Sequence, residues 1–247
     1  MKWDERRLPS VFLFAALLVI VRVADTTAAV PFQGYEVGKT LYIQGGNRAS
    51  IPLVRGMADL ALQAKVNRTL GAAFLSLKSP SPGSTLHGDF SISFSNSVLL
   101  GIHFKGDSFT PGTMHPNKID CGIHIDMTNG KIFGIEDLFR QGTLFEEQIS
   151  QLCGKSPERY RLKIPGVYDG WTHEDFVASW TGEDKMFLLL PDSLRVYAIP
   201  SYAAGPIGGY RIPYANLERI IDHKGDLWKK ISYRSGSQQQ SRTGSRW

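Results

Sequence analysis

Histidine and aspartate residues are concentrated in the middle of the sequence, where they could hold a metal ion or act in hydrolysis. They are His103, His115, Asp120, His124 and Asp126. A strand is predicted over residues 118–127, and it would place Asp120, His124 and Asp126 on one face, opposite a face of apolar residues. Imidazole and carboxylate groups are suitable zinc ligands, so one hypothesis is a cell-envelope hydrolase that uses the face around His115, His124 and Asp126. The other is an antiparallel sheet whose polar face meets solvent, which we favour because no His-Glu-x-x-His or similar ligand spacing is present.

Other patterns of catalysis or cofactor binding are missing from the sequence. No Gly-x-Ser-x-Gly motif of a serine hydrolase is present. The acidic pairs at residues 174–175 and 183–184 could serve in sugar hydrolysis, but paired acids in turns are usually only solvated. The glycine-rich stretch at residues 205–209 lacks the lysine of a phosphate-binding loop. The sequence therefore predicts a protein that is not an enzyme and that uses neither a cofactor nor a metal.

The region near the end of the chain is rich in tyrosine, proline and glycine and is the predicted recognition surface. Tyrosine offers a large, stiff contact area with a polar tip and is enriched at interfaces. The alternative is that several of these tyrosines pack in the core behind a hairpin. The predicted binding residues are Pro200, Tyr202, Gly205 and Tyr214, together with His115 from the middle of the chain.

The elements that would position these residues alternate along the chain. Apolar residues at spacings of three and four predict a long helix over residues 57–77. Alternating and apolar runs predict strands, and glycine, asparagine and proline mark the turns between them. The predicted strands cover residues 35–43, 90–94, 98–104, 118–127, 186–190 and 194–199, and further helices are predicted over 135–153 and 215–221. The class is α+β, with an antiparallel sheet built from hairpins, a long helix in the first half and shorter helices packed on the sheet.

Residues 1–29 are predicted to be a signal peptide. They combine an early positive charge, an apolar run of 11 residues at 11–21 and the small residues Thr27, Ala28 and Ala29. The alternative is an uncleaved short anchor in which Arg22 reaches the membrane surface. In both cases the rest of the chain is expected outside the cytoplasm, secreted or in the cell envelope, and it contacts a membrane only if the anchor is retained.

The charge of the chain argues against nucleic acid as a partner. The net charge is +5, but much of it comes from a basic tail at residues 223–247, which is predicted to be disordered and has no acidic residue from Tyr233 on. A nucleic-acid-binding protein needs a basic face on its folded part.

Two cysteines, Cys121 and Cys153, are the only ones in the chain. In an oxidising compartment such a pair usually forms a disulfide or stays buried. We predict the disulfide.

The order of the motifs resembles a known family. The segment GTMHPN at 112–117, the strand after it, the turn TNGK at 128–131 and IEDLF at 135–139 are similar, in that order, to motifs of the extracytoplasmic domain shared by the anti-sigma factor RsiV and the peptidoglycan deacetylase PdaC. The segments IPSYAAG at 199–205 and IPYANL at 212–217 resemble its closing motif. The resemblance divides the chain into an N-terminal half at 30–110, which contains the long helix, and an RsiV-like C-terminal half at 111–222.

What the resemblance implies is a binding or sensing role without chemistry of its own. In RsiV this domain faces outward and binds lysozyme, and in PdaC it accompanies a separate catalytic domain. The expected partner is therefore an extracytoplasmic protein, such as a lysozyme-like muramidase, or a peptidoglycan-related ligand.

Overall fold

The computed structural model describes residues 30–32, 34–155, 180, 186–198 and 207–233. The strands are β1 (Val30–Phe32), β2 (Tyr35–Gln44), β3 (Asn47–Arg55), β4 (Thr85–Ser95), β5 (Leu99–Phe109), β6 (Asn117–Asp126), β7 (Met186–Leu189), β8 (Ser193–Ala198) and β9 (Ile207–Pro213). The helices are α1 (Leu60–Ser76), a 3₁₀ helix (Ile135–Leu138), α2 (Phe145–Lys155), α3 (Tyr214–Leu217) and α4 (Asp226–Ile231). The predicted α+β class is confirmed.

The strands form two sheets. The first has six strands in the order β1 to β6, and the second has three, in the order β7-β8-β9. Neighbouring strands pair antiparallel except β3 and β4, which run parallel because α1 connects them as a crossover. Their pairing is confined to Arg48 with His87 and Ala49 with Gly88. Beyond these two pairs, β3 is no longer paired with β4, so the β2–β3 hairpin separates from the rest of the sheet.

Helix α1 begins three residues later than predicted and covers the first sheet. Asp59 caps it, since its carboxylate accepts hydrogen bonds from the backbone of Ala61 and Leu62 at 2.9 Å each. The buried residues of the helix, Val66, Leu70 and Phe74, lie at spacings of four. The ring of Phe74 meets Phe104 edge-to-face at 5.3 Å. This packing forms the first hydrophobic cluster.

The second cluster lies on the three-stranded sheet, where the helices and the segment after β6 pack against it together with Phe94 of β4 and Leu99 of β5. Cys121, Ile123 and Ile125 of β6 belong to the first cluster, whereas Gly122 and His124 face β7 of the second sheet. A Cβ atom on Gly122 would lie 2.1 Å from the carbonyl oxygen of Phe187, so the glycine is what allows the two sheets to approach. The prediction of a solvated polar face on β6 is therefore wrong, because a second layer covers it.

The C-terminal segment is ordered further than predicted. The disordered tail was predicted to start at residue 223, but α4 lies within it and Leu227 is fully buried. The ring of Trp228 meets Tyr214 edge-to-face at 5.5 Å. The structure describes the chain to residue 233, and the remainder of the predicted tail lies outside the described residues.

The predicted disulfide does not form between Cys121 and Cys153, both of which belong to the described part of the chain. Cys121 is buried in the first hydrophobic cluster and Cys153 in the second, so the layer of β6 separates the two thiols. This corrects the prediction in favour of the alternative, which was burial.

Residues 1–29 lie outside the described residues, so the signal peptide and the anchor both stay predictions. Within the residues that the structure does describe, no helix is both long and apolar enough to cross a bilayer.

Candidate functional site

An apolar groove of about 530 Å³ runs between the β2–β3 hairpin and α1. Residues 40–43 of β2 and 51–53 of β3 form one wall, and the side of α1 that contains Gly71, Ala72 and Leu75 forms the other. The groove exists because β3 separates from β4 while α1 stays packed on β3. Its volume is within the range of ligand-binding pockets, which are mostly apolar with a few polar groups.

Gly71 lies in the middle of α1 and lines the groove. Apart from its chain neighbours and the adjacent backbone of the helix itself, no atom of the described residues comes within 4 Å of the position that its Cβ would take. A glycine in a helix interior lowers stability by about 1 kcal/mol relative to alanine. Since packing inside the chain does not require the glycine, the open space beside it is available to a ligand.

Asn67 fixes the helix to the hairpin at the inner end of this wall. Its amide accepts a hydrogen bond from the backbone nitrogen of Val54 at 2.8 Å and donates one to the carbonyl oxygen of Val54 at 2.9 Å. The side chain thus replaces the strand partner that β3 loses when it leaves β4. The polar atoms of Asn67 serve the fold, and they hold the two walls of the groove at a constant separation.

Arg68 is the charged residue of the groove lining, and its side chain is exposed. Among the described residues it makes neither a hydrogen bond nor an ion pair that would neutralise it. The lining contains no carboxylate. A ligand with an apolar part and an acidic group therefore complements the groove.

The histidines and aspartates of the sequence hypothesis are distributed over separate places. His103 is hydrogen-bonded to Asp120 across β5 and β6. His124 is fully buried, stacks on Phe187 at 4.5 Å, and accepts a hydrogen bond at Nε2 from the backbone nitrogen of Leu189 at 3.0 Å. Burial lowers the pKa of His124 to about 3. This imidazole is therefore a neutral link between the two sheets.

Asp126 is also buried, and it closes the turn that follows β6. Its carboxylate accepts hydrogen bonds from the backbone nitrogen of Thr128 at 2.7 Å and from the Thr128 hydroxyl at 2.6 Å. Lys230 of α4 lies 3.1 Å from the same oxygen. Through Oδ1 the aspartate thus connects the turn to the C-terminal helix, while its buried Oδ2 has no hydrogen-bond partner among the described residues.

His115 is exposed on the loop before β6, far from both of these residues. The ten residues of β6 separate it from Asp126 by about 30 Å, at about 3.3 Å per residue. His115, His124 and Asp126 therefore do not converge. No group of three metal-ligating side chains occurs within the part of the chain that the structure describes.

The structure describes only part of the predicted recognition surface. Pro200, Tyr202 and Gly205 lie outside the described residues, so their role stays a prediction. Tyr214 is 7% exposed, and its hydroxyl donates to the carbonyl oxygen of Leu190 at 3.0 Å. Tyr214 is therefore a core residue rather than part of a surface, in agreement with the alternative that the tyrosines pack behind the hairpin. Tyr197 and Tyr210 are buried as well.

Sequence reasoning missed the groove, although it had one indication. Residues 41–43 of β2 and 51–54 of β3 are continuous apolar runs rather than alternating ones. Such runs are typical of strands that are covered on both faces. In the structure Ile43 is nevertheless 50% exposed, so one of these faces is not covered by the described residues.

Comparison with known proteins shows which solved structures share the fold of this chain. No protein-family model matches the chain, and no curated protein matches it. The structure is similar to that of a DUF3298 family member from Bacteroides fragilis, with a TM-score of 0.55 and 13% identity, over 81% of this chain and 97% of that one. The chain has a DUF3298-type fold. A DUF3298 family protein from Pseudomonas aeruginosa is also similar, with a TM-score of 0.43 and 18% identity over 76% of this chain and 93% of that one.

Proposed function

We propose that this protein is an exported binding domain without catalytic activity of its own, and that the groove between α1 and the β2–β3 hairpin is its binding site. The partner is an extracytoplasmic protein, such as a lysozyme-like muramidase, or a peptidoglycan-related ligand. The link to the domain of RsiV and PdaC, which rests on the sequence motifs, supports this choice of partner.

The observation that carries the proposal is the open space at Gly71. A helix interior with a glycine that no internal contact requires is less stable than one with alanine. The same residue lines an apolar groove of about 530 Å³ with an exposed cation, Arg68, in its wall. These are properties of a site that receives a ligand, whereas His124 and Asp126 of the middle region are buried and make contacts within the fold.

The experiment fills the groove and measures binding. The exported protein is immobilised, and envelope extracts and purified lysozymes are passed over it. The substitution Gly71→Leu places a side chain in the open space and should weaken capture at least about tenfold, which corresponds to about 1.4 kcal/mol. Ala64→Leu is the matched control, because Ala64 lies on the same helix, is exposed and does not line the groove.

Two results would contradict the proposal. One is that the Gly71→Leu protein, folded by circular dichroism, captures the same partners as the wild type. The other is that the wild-type protein releases products from cell-wall material at a rate that is retained in Gly71→Leu.

A further inference from the structure

The outer edge of β2 has backbone groups that point away from β3. The turn at Gly45 and Gly46 has φ of +54° and +85°, as in a two-residue type I′ hairpin, and its closing pair is hydrogen-bonded. Hydrogen-bonded and non-hydrogen-bonded pairs alternate along an antiparallel ladder. Counting back from the turn, the even-numbered residues of β2 direct their N–H and C=O groups to β3. Lys39, Leu41 and Ile43 direct theirs outward.

The opposite strand of the hairpin agrees with this assignment. Val54 lies opposite Val37, an odd-numbered position, so its backbone groups must also point away from the hairpin. They do, since both of them bond to the side chain of Asn67. On the β2 side, Val37 pairs with Val30 of β1, where that short strand begins.

Beyond Val37 the edge has no strand partner among the described residues. Proteins usually protect such an edge with proline, with a bulge, with charged residues or with a covering element. Residues 38–44 contain no proline, and their register with β3 is continuous. The one charged residue among them, Lys39, forms an ion pair with Asp89 at 2.6 Å. The edge is therefore long, regular and largely uncharged.

We propose that an extended segment of a partner protein adds to this edge as a further strand. Its backbone would pair with Lys39, Leu41 and Ile43, and its alternate side chains would enter the groove. This inference rests on the proposed binding function and specifies how the partner is held. The segment is apolar at alternate positions and has an acidic residue for Arg68.

A second copy of this chain fits the site less well than such a segment. Two copies paired through β2 would bring two grooves together, and the groove lining contains Arg68 but no carboxylate. The guanidinium group of each copy would then have no acidic group from the other groove. An acidic segment of a different protein supplies one.

The first arm of the test uses displayed peptides. A random library of peptides of about twelve residues is selected on the full exported protein, and enriched sequences are synthesised with a fluorescent label. We expect alternating apolar residues with an acidic residue. N-methylation of every second backbone nitrogen should weaken binding at least about tenfold in one of the two registers and little in the other, because only one set of amides faces β2.

The second arm changes the protein. Ile43→Pro removes an outward N–H without removing a hydrogen bond to β3, and it should weaken peptide binding at least about tenfold. Ile43→Val retains the N–H and the branched side chain, and it should bind within about twofold of the wild type. The peptide arm gives a separate answer if Ile43→Pro does not fold.

The outcomes separate this inference from the proposed function. If Gly71→Leu abolishes binding but Ile43→Pro and N-methylation have no effect, the groove binds its ligand without strand addition, and the inference is overturned. It is also overturned if no peptide is enriched, or if sedimentation shows a dimer that Ile43→Pro dissociates. If Gly71→Leu has no effect either, the proposed function fails as well.

Discussion

Protonation of His124 should destabilise the protein in mild acid. The imidazole is fully buried between the two sheets, and its Nε2 accepts the hydrogen bond from Leu189 only while that nitrogen is unprotonated. The pKa is lowered from 6.5 to about 3 in the folded state because burial disfavours the charged ring. In the unfolded chain the ring titrates near its ordinary value.

The direction and the size follow from proton linkage. Below pH 6.5 the unfolded state binds a proton that the folded state does not, so the free energy of unfolding decreases as the pH falls toward 3. At about 1.4 kcal/mol per pH unit, lowering the pH from 7.5 to 5 should remove about 2 kcal/mol of stability through this one residue. A small domain has only about 5–15 kcal/mol in total, so the effect is measurable.

The assay is urea unfolding at a series of pH values from 7.5 to 5, for the wild type and for His124→Gln. Glutamine can accept the hydrogen bond from Leu189 but does not titrate. Other groups contribute equally to both proteins, so the difference in unfolding free energy isolates the imidazole. We expect His124→Gln to be the less stable protein at pH 7.5 and to recover about 2 kcal/mol relative to the wild type at pH 5. Parallel pH profiles for the two proteins would refute the reasoning.

The remaining predictions concern helix α1, the two cysteines and the predicted signal peptide. Asn67→Ala should lower the free energy of unfolding by about 2 kcal/mol, since two hydrogen bonds of about 1 kcal/mol each are lost; a loss below about 0.5 kcal/mol in urea unfolding would contradict this. Gly71→Ala should raise the melting temperature, because alanine adds about 0.5–1 kcal/mol of helix stability without a clash. A melting temperature below that of the wild type would show that the fold itself requires the glycine. Unreduced protein should react with a thiol reagent at Cys121 and Cys153 only after it is unfolded. If the unfolded, unreduced protein does not react, the two cysteines form the disulfide after all. N-terminal sequencing of exported protein should begin near residue 30, and a start at residue 1 would exclude cleavage of residues 1–29.

The motifs behind the family resemblance turn out to build the fold. In IEDLF, Asp137 accepts a hydrogen bond from the backbone of Gly134 at 2.9 Å and so caps the 3₁₀ helix that begins at Ile135. Asp137 also pairs with Lys131 at 2.8 Å, and Leu138 is fully buried. In TNGK, the backbone of Gly130 bonds back to Asp126 at 2.8 Å. Such residues specify turns and caps, which explains why the resemblance did not locate a binding site.

The sequence by itself determined the local elements. The spacing of Val66, Leu70 and Phe74 predicted the long helix, and alternation predicted β6 and the two hairpins. It did not predict β1, β3 or β9 as strands. Boundaries moved by a few residues, and the single stretch predicted over 135–153 became a 3₁₀ helix and α2, since helix ends depend on caps such as Asp59. Periodicity is a local property, so it can be read without knowing what packs against an element.

Only the tertiary structure decided what covers each face. Alternation along β6 is the same whether its polar side meets water or other elements of the fold. The burial of His124 depends on the approach of β7 at Gly122, whereas Asp126 is buried by the turn after β6 and by Lys230 of α4. The groove has the same kind of origin. It arises because β3 leaves β4 after two paired residues while Asn67 holds α1 to the hairpin, and a contact between segments distant in sequence has no periodic pattern that would reveal it.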